Sequence, residues 1–336
     1  MRLPEKEIDG FCPTFEKAAF ITHFPKARSC AIMEKNTEFR RRTPMENNSG
    51  RHAYLIIAHN NFTQLQTLLD LLDDPRNDIY LHIDLKSKNV PAFTTKQAGL
   101  IMAERMNVMW GGYSQIACEL ALMEAAGQGH YDYYHLLSGI DLPLKTQDQI
   151  HAFFRENGGK EYIDFDREAC ESRSFRIRTR YYHWLQNYAG SSPKTWNRIL
   201  RVLNWGLVHI QEFLRVERRE QLRQYKGANW FSITDDLVQY VLTQKELVRR
   251  ELAHTFCADE VFLQTLAMAS PRREYIENNF LRAIDWQRGD PYVYRAEDVP
   301  ELLASEKLWG RKFNEKVDQA AIDGIVKALG SGEAET

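Results

Sequence analysis

The chain lacks any run of about 20 apolar residues, the length a bilayer-crossing helix requires. No export-signal pattern lies near Met1, so neither a membrane span nor secretion is expected. Cysteine is scarce: Cys12, Cys30, Cys118, Cys170 and Cys257 are five in 336 residues, odd in number and never in C-x-x-C spacing. A disulfide framework is therefore not expected, and reduced thiols in a cytoplasm fit best. Excess charge of either sign is also missing: the formal net charge is -2, which gives no global pull toward nucleic acid or an anionic membrane. Neither G-x-G-x-x-G nor G-x-x-x-x-G-K-[ST] occurs, which excludes the dinucleotide fingerprint and the P-loop. There is no internal repeat and no low-complexity segment. What the chain has is ample core material, 43% hydrophobic, enough for one large α/β domain or two small ones.

Three apolar runs carry most of the fold information. Ala53–Ala58 (AYLIIA) ends in His59-Asn60-Asn61 and is followed by a helical stretch over Phe62–Leu72. Asp78–Asp84 (DIYLHID) delivers Asp84 at its exit, with Lys86-Ser87 behind it. Tyr131–Thr146 (YDYYHLLSGIDLPLKT) runs through Tyr133, Tyr134, Leu136 and Leu137 into a Ser138-Gly139 break, then Asp141 and Pro143. Continuous apolar runs of this length suit strands buried on both faces of a parallel sheet. Helical periodicity between the first two and over Gln115–Ala126 gives βαβα order, hence a mainly parallel sheet with a crevice at its carboxyl edge. His59, Asp84 and Asp141 are expected to converge there, where open α/β sheets bind ligands. Each also has an ordinary structural reading, as a turn residue or a cap.

These segments, IIAHNN, YLHIDLKS, WGGYSQIACELALM and SGIDLPLKT, followed by KGANWFSITDDLVQYVL, CADEVFLQTLA and LWGRKF, resemble glycosyltransferase family 14. That family holds the core-2/I-branching β-1,6-N-acetylglucosaminyltransferases and the peptide O-xylosyltransferases, and the likeness runs from about Ala53 to Asp318. It implies an α/β fold of GT-A-like type, a mainly parallel sheet flanked by helices, in a single large domain with a helical insert. It also implies an inverting enzyme that moves a sugar, N-acetylglucosamine or xylose, from a UDP-sugar to a hydroxyl of a glycan or other acceptor. The family's Golgi members carry an N-terminal anchor and several disulfides; this chain shows neither pattern and reads as a bacterial-type cytoplasmic version.

Site roles follow from the resemblance, residue by residue. Glu260 of the Ala258-Asp259-Glu260 triplet matches the catalytic base of a P-D-E motif, with Asp259 as a supporting helix cap and Ala258 in place of the usual proline. Asp84 and His59 match the uridine site. Arg311 and Lys312 match the basic motif that takes the diphosphate without a metal, Lys312 the better candidate; Arg288, ahead of Arg295, is the candidate second cation. No cofactor is expected. A rival reading uses Asp164-Phe165-Asp166 as a metal-binding D-x-D for a metal-dependent sugar transferase or nucleotidyltransferase; another is a non-catalytic carbohydrate-binding relative. Ser138, Gly139, Asp141 and Trp230 are assigned to the acceptor side, although a Trp in a strand, like Trp286, serves equally well in a core.

The expected segmentation is a mobile extension over 1–51, with Met45 as an alternative start, a nucleotide-sugar half over 52–165, an insert over 166–226, a catalytic half over 227–320 and a tail over 321–336. The insert is basic and aromatic. Its stripe of Trp196, Ile199, Leu200, Leu203, Leu207, Ile210 and Leu214 is expected to pack on the main domain. The alternative is an acceptor-binding surface peripheral to a membrane bearing lipid-linked sugars.

Overall fold

A computed structural model describes residues 50–189, 195–218 and 221–330. The expected extension, apart from Gly50 and Arg51, lies outside the described residues. The described residues form one compact unit. Its centre is a seven-stranded sheet built from β1 (His52–Ala58), β2 (Asn77–Ile83), β3 (Gly99–Met102), β4 (Tyr133–Ser138), β6 (Glu161–Ile163), β7 (Phe231–Thr234) and β8 (Ile276–Asn278). The order is β3-β2-β1-β4-β7-β6-β8. The first four strands are parallel, β7 is antiparallel to both its neighbours, and β6 and β8 are parallel. This is the mainly parallel, helix-flanked α/β architecture expected, and the segments 52–165 and 227–320 share its sheet.

β1, β2 and β4 are almost wholly buried, as their unbroken apolar composition demands. One face packs on the helix Phe62–Leu71 through Tyr54, Ile56, Leu65 and Leu69, the other on the helix Ser114–Ala126 through Leu55, Leu136, Leu122 and Met123. Register brings the exits level: Ala58 pairs with Ile83, and Ile57 with Ser138. At that edge Gly139 is needed for clearance, because a Cβ there would lie 2.7 Å from the Cβ of Ala58.

A second sheet was not foreseen. β5 (Leu142–Pro143), β9 (Arg282–Ile284) and β10 (Trp309–Arg311) assemble in the order β5-β10-β9. Trp309 is paired with Pro143 on one side and Arg282 on the other, so the LWGRKF segment is drawn under the exit of β4.

Two expectations are corrected here. Residues 321–330 are not a tail: the helix Gln319–Gly330 buries Ala321, Ile322 and Ile325 against the core that holds Val299 and Leu302. Nor does the insert's stripe pack inward. The helix Thr195–Leu214 buries Leu200, Asn204, Val208 and Gln211, and leaves Trp196, Ile199, Leu203, Ile210 and Leu214 exposed. Asn204 and Gln211 win the inner face because they satisfy buried backbone. Asn204 accepts from the Leu185 amide at 3.1 Å, and Gln211 accepts from the Tyr182 amide at 2.9 Å while donating to its carbonyl at 3.0 Å. No described helix is long and apolar enough to cross a membrane.

Candidate active site

The exits of β1, β2 and β4 bring His59, Asp84 and Ser138 to one edge, where His59, Asp84 and Asp141 were expected. Burial of the His59 imidazole, opposed by the Asp84 charge and aided by Lys86 and Arg311, lowers its pKa from the usual value, and Ser87 Oγ donates to the His59 carbonyl at 2.7 Å. Asp84 is mostly buried; its carboxylate accepts from the Lys86 amide and from Lys86 Nζ, both at 2.8 Å. It is thus a turn-fixing acid as well as a candidate nucleoside ligand, with a Lys on hand to hold its orientation.

Asp141 is corrected. It is fully buried and presents no carboxylate to a cleft. It accepts from the Ser138 amide at 2.8 Å and Ser138 Oγ at 3.0 Å, and Arg311 Nη1 donates to it at 2.8 Å. Arg311 also donates to Ser138 Oγ and lies over the Trp230 ring at 4.3 Å. A carboxyl sealed from water needs a paired cation, and Arg311 supplies it. Ser138, Gly139, Asp141, Arg311 and Trp230 therefore form the floor of the site. Lys312, next in sequence and half-buried, makes no ion pair or side-chain hydrogen bond among the described residues, so its ammonium is a candidate for a phosphate.

Arg288 is not brought to this floor. Its guanidinium pairs with Asp285 and, at 2.7 Å, with Asp298, and stacks over Tyr292. Two carboxylates have already matched its charge. Arg295 is likewise engaged, donating to the Val317 carbonyl at 2.8 Å. The cation sequence reasoning missed is Arg282, fully buried between the two sheets. It donates to Ser232 Oγ at 2.9 Å, Leu136 O at 3.1 Å and Phe231 O at 2.6 Å, and sits over Trp309 at 4.5 Å. Its role is to lock the small sheet under β4 and β7.

The Ala258-Asp259-Glu260 triplet forms a single 3-10 turn after Cys257, which takes a positive φ of 50°, and the helix Phe262–Ala269 follows. Val261, Phe262 and Leu266 point inward. The cap assigned to Asp259 is corrected: no side-chain cap bond forms at either turn, and its Oδ2 instead accepts from Gln115 Nε2 at 3.0 Å. Gln115 lies in the first turn of Ser114–Ala126, and the Cys257 amide donates to the Gly111 carbonyl at 2.9 Å, which ties the two loops together. Glu260 is partly open, its side chain 35% exposed, and is aimed by Arg178 Nη1 at 3.0 Å and Lys226 Nζ at 3.8 Å.

Behind it lies an acid cluster. Glu119 is fully buried, accepts from Asn229 Nδ2 at 2.9 Å on one oxygen and leaves the other unpartnered; Asp259 also keeps one buried oxygen unpartnered. Burial, and then the Glu260 charge, push the Asp259 carboxyl up to about 7, while burial and then Asp259 raise Glu119 well above the carboxylate range. Glu119, Asn229, Gln115, Arg178 and Lys226 were not picked out from sequence. Cys118 feels the charges of both Glu119 and Asp84, so the Asp84 side and the Glu260 side flank the same helix, Ser114–Ala126.

Asp164 and Asp166 are engaged with backbone. Asp164 Oδ2 accepts from the Ala228 amide at 2.8 Å; Asp166 Oδ1 caps the helix Arg167–Glu171 through the Ala169 amide at 2.9 Å, with Lys226 Nζ at 3.7 Å from its other oxygen. Trp286 is exposed on the surface.

Comparison with known proteins bears on this arrangement. The family model described as "Branch: Core-2/I-Branching enzyme" matches residues 52–306. Among curated proteins, "Xylosyltransferase 2" of Canis lupus familiaris is 25% identical over 340 aligned positions, covering 89% of this chain and 37% of that protein. "Xylosyltransferase oxt" of Drosophila melanogaster is 23% identical over 291, covering 77% and 31%. The chain thus spans about a third of the length of these relatives. Apo mouse xyloside xylosyltransferase 1 superposes with a TM-score of 0.33 at 12% identity, covering 77% of this chain and 96% of that one, a likeness too slight to carry an argument. The match over 52–306 spans well over half of the residues, and the chain belongs to the Core-2/I-Branching enzyme family.

Proposed function

We propose that this protein is an inverting glycosyltransferase that moves a sugar from a UDP-sugar to an acceptor hydroxyl by a single, metal-independent displacement. The observation that carries the proposal is an accessible carboxylate and a cation with no partner among the described residues, both at one end of the sheet. Glu260 is held by Arg178 and Lys226, and Lys312 adjoins the Arg311–Asp141 floor. In the reaction Glu260 takes the acceptor hydroxyl proton, the acceptor oxygen bonds to the anomeric carbon, and the bond from that carbon to the diphosphate oxygen breaks. The departing UDP carries the electron pair, and Lys312 meets its charge. Asp84 and His59 hold the nucleoside. Xylose is the favoured donor sugar, since the matched relatives are xylosyltransferases, with N-acetylglucosamine as the other family chemistry.

The acceptor is a glycan or a lipid-linked sugar used in polysaccharide synthesis, and the site of action is the cytoplasm or the inner membrane face. A panel of UDP-sugars, assayed for UDP release with and without EDTA and followed by NMR of the product's anomeric coupling, tests the reading. Transfer that survives EDTA and gives a β product from an α donor is expected. An α product or strict dependence on a divalent ion refutes it.

A further inference from the structure

The helix Thr195–Leu214 is amphipathic in the inverted sense. A surface helix ordinarily buries its apolar stripe and shows its polar side. Here Asn204 and Gln211 face inward, bonded to His183, Tyr182 and Leu185, and the apolar arc faces out. Phe213 is 86% exposed, Val202 71% and Trp196 65%, with Leu203, Ile210 and Leu214 more than half exposed. At 3.6 residues per turn these positions share one side of the cylinder. A patch of this kind on a folded chain marks a surface that meets something other than water.

We propose that this face docks on an anionic lipid bilayer, lying in the interface plane. Charge complementarity selects that occupant. Between Thr195 and Arg218 the segment carries Arg198, Arg201, Arg215 and Arg218 against Glu212 and Glu217, with Arg218 turned inward onto Thr179, Thr255 and Glu251, although the whole chain is at -2. Glu212 and Glu217 are already matched by Arg173 at 2.8 Å and Arg180 at 3.4 Å. Arg198, one turn from Val202, and Arg215, just past Leu214 at the end of the helix, are exposed and supply the basic groups that hold an interfacial helix on anionic headgroups. Exposed Trp184, Tyr188 and Trp196 supply the amphipathic rings that settle at headgroup depth. A second copy fits less well, because a two-fold contact sets this patch against itself and opposes like charges.

The inner side leads to the candidate base. His183 stacks on Phe256 at 5.7 Å, and Arg178, the partner of Glu260, lies over the same ring at 5.5 Å. The proposal does not depend on the catalytic reading.

The test is co-sedimentation of the full chain with vesicles of phosphatidylcholine alone and of phosphatidylcholine with phosphatidylglycerol. Binding to the anionic vesicles is expected, weakening with salt. Ile210→Asp with Phe213→Asp, both at exposed positions, should lower partitioning about tenfold or more with an unchanged melting temperature. Arg198→Gln and Arg215→Gln should each lower binding to anionic vesicles about fivefold. Failure of the full chain to bind anionic vesicles overturns the proposal, as does binding indifferent to both sets of substitutions. A dimer in light scattering that Phe213→Asp dissolves, without vesicle binding, assigns the face to a second copy and overturns it too.

Discussion

Arg311 and Lys312 are adjacent cations, and the structure gives them different work, so matched substitutions separate the two. Arg311→Met keeps the apolar stem and removes the guanidinium from Asp141, whose side chain is only 1% exposed. Breaking a buried pair from one side commonly costs about 3–5 kcal/mol, because the remaining charge is stranded. Asp141 keeps its two bonds from Ser138, at 2.8 and 3.0 Å, and Arg311 is itself 19% exposed, both of which argue for the low end. Loss of the stacking on Trp230 adds about 0.5–1 kcal/mol. The expected destabilisation is about 3–4 kcal/mol, read as a shift in urea midpoint at constant slope. Asp141→Asn in the Arg311→Met background should recover part of that loss, giving a coupling of about 1–3 kcal/mol in the double-mutant cycle. Lys312→Met should leave stability within about 0.5 kcal/mol, since its ammonium has no partner among the described residues. It should weaken UDP binding in calorimetry by about 1–3 kcal/mol, the scale of a lost charged hydrogen bond. If Arg311→Met is as stable as the parent, or Lys312→Met unfolds as readily as Arg311→Met, the division of labour argued here is wrong.

Three more outcomes are expected. Glu260→Gln should retain UDP binding and lose about 10²–10⁴ in transfer rate, measured by UDP release in steady state; near-normal turnover would strip Glu260 of the base role. Asp259 holds its proton to about pH 7 when folded, against 3.8 ordinarily, so its stabilising contribution is complete below pH 3.8 and is lost as pH rises toward 7. Asp259→Asn should therefore gain stability over the parent between pH 4 and pH 8, by about 2–4 kcal/mol in paired thermal melts, and a gap that does not widen with pH would contradict the burial of that acid. Asp166→Ala should cost about 0.5–2 kcal/mol of stability as a lost helix cap, with UDP affinity in EDTA unchanged; loss of metal-dependent UDP binding instead would restore the D-x-D reading.

The parts of the site legible in the sequence are those set by long, buried elements. β1, β2 and β4 are continuous apolar runs because both faces of each are covered, and their exits could be named from that alone. The floor was not legible. β5, β9 and β10 are two or three residues long, too short to show a period, and only their pairing puts Arg282 and Arg311 beneath β4. Asp141 was misassigned for that reason: a strand exit predicts a displayed acid until a distant Arg arrives to bury it. Glu119 was hidden because its helix packs on the sheet, while its own acid is matched by Asn229 from a loop more than 100 residues on. The insert helix defeated the stripe rule because backbone needing partners, not apolar area, chose its inner face.

The Arg311–Asp141 pair also has a temporal side. The two residues are 170 positions apart, and Gln64 reaches still further, 249 positions, to the Phe313 carbonyl. At the usual 5–20 residues per second, about 10–30 s separates the synthesis of Asp141 from that of its partner. Through that interval β1, β2 and β4 can pair, but β4 has an open edge until β7 arrives, and its exit carries an acid with no counter-ion. Contacts of such long range fold slowly and leave unpaired strand edges exposed to other chains. A nascent or truncated chain ending before Trp309 would thus carry every strand of the large sheet yet lack β10 and Arg311, leaving Asp141 without its counter-ion, the kind of incomplete species that chaperones hold.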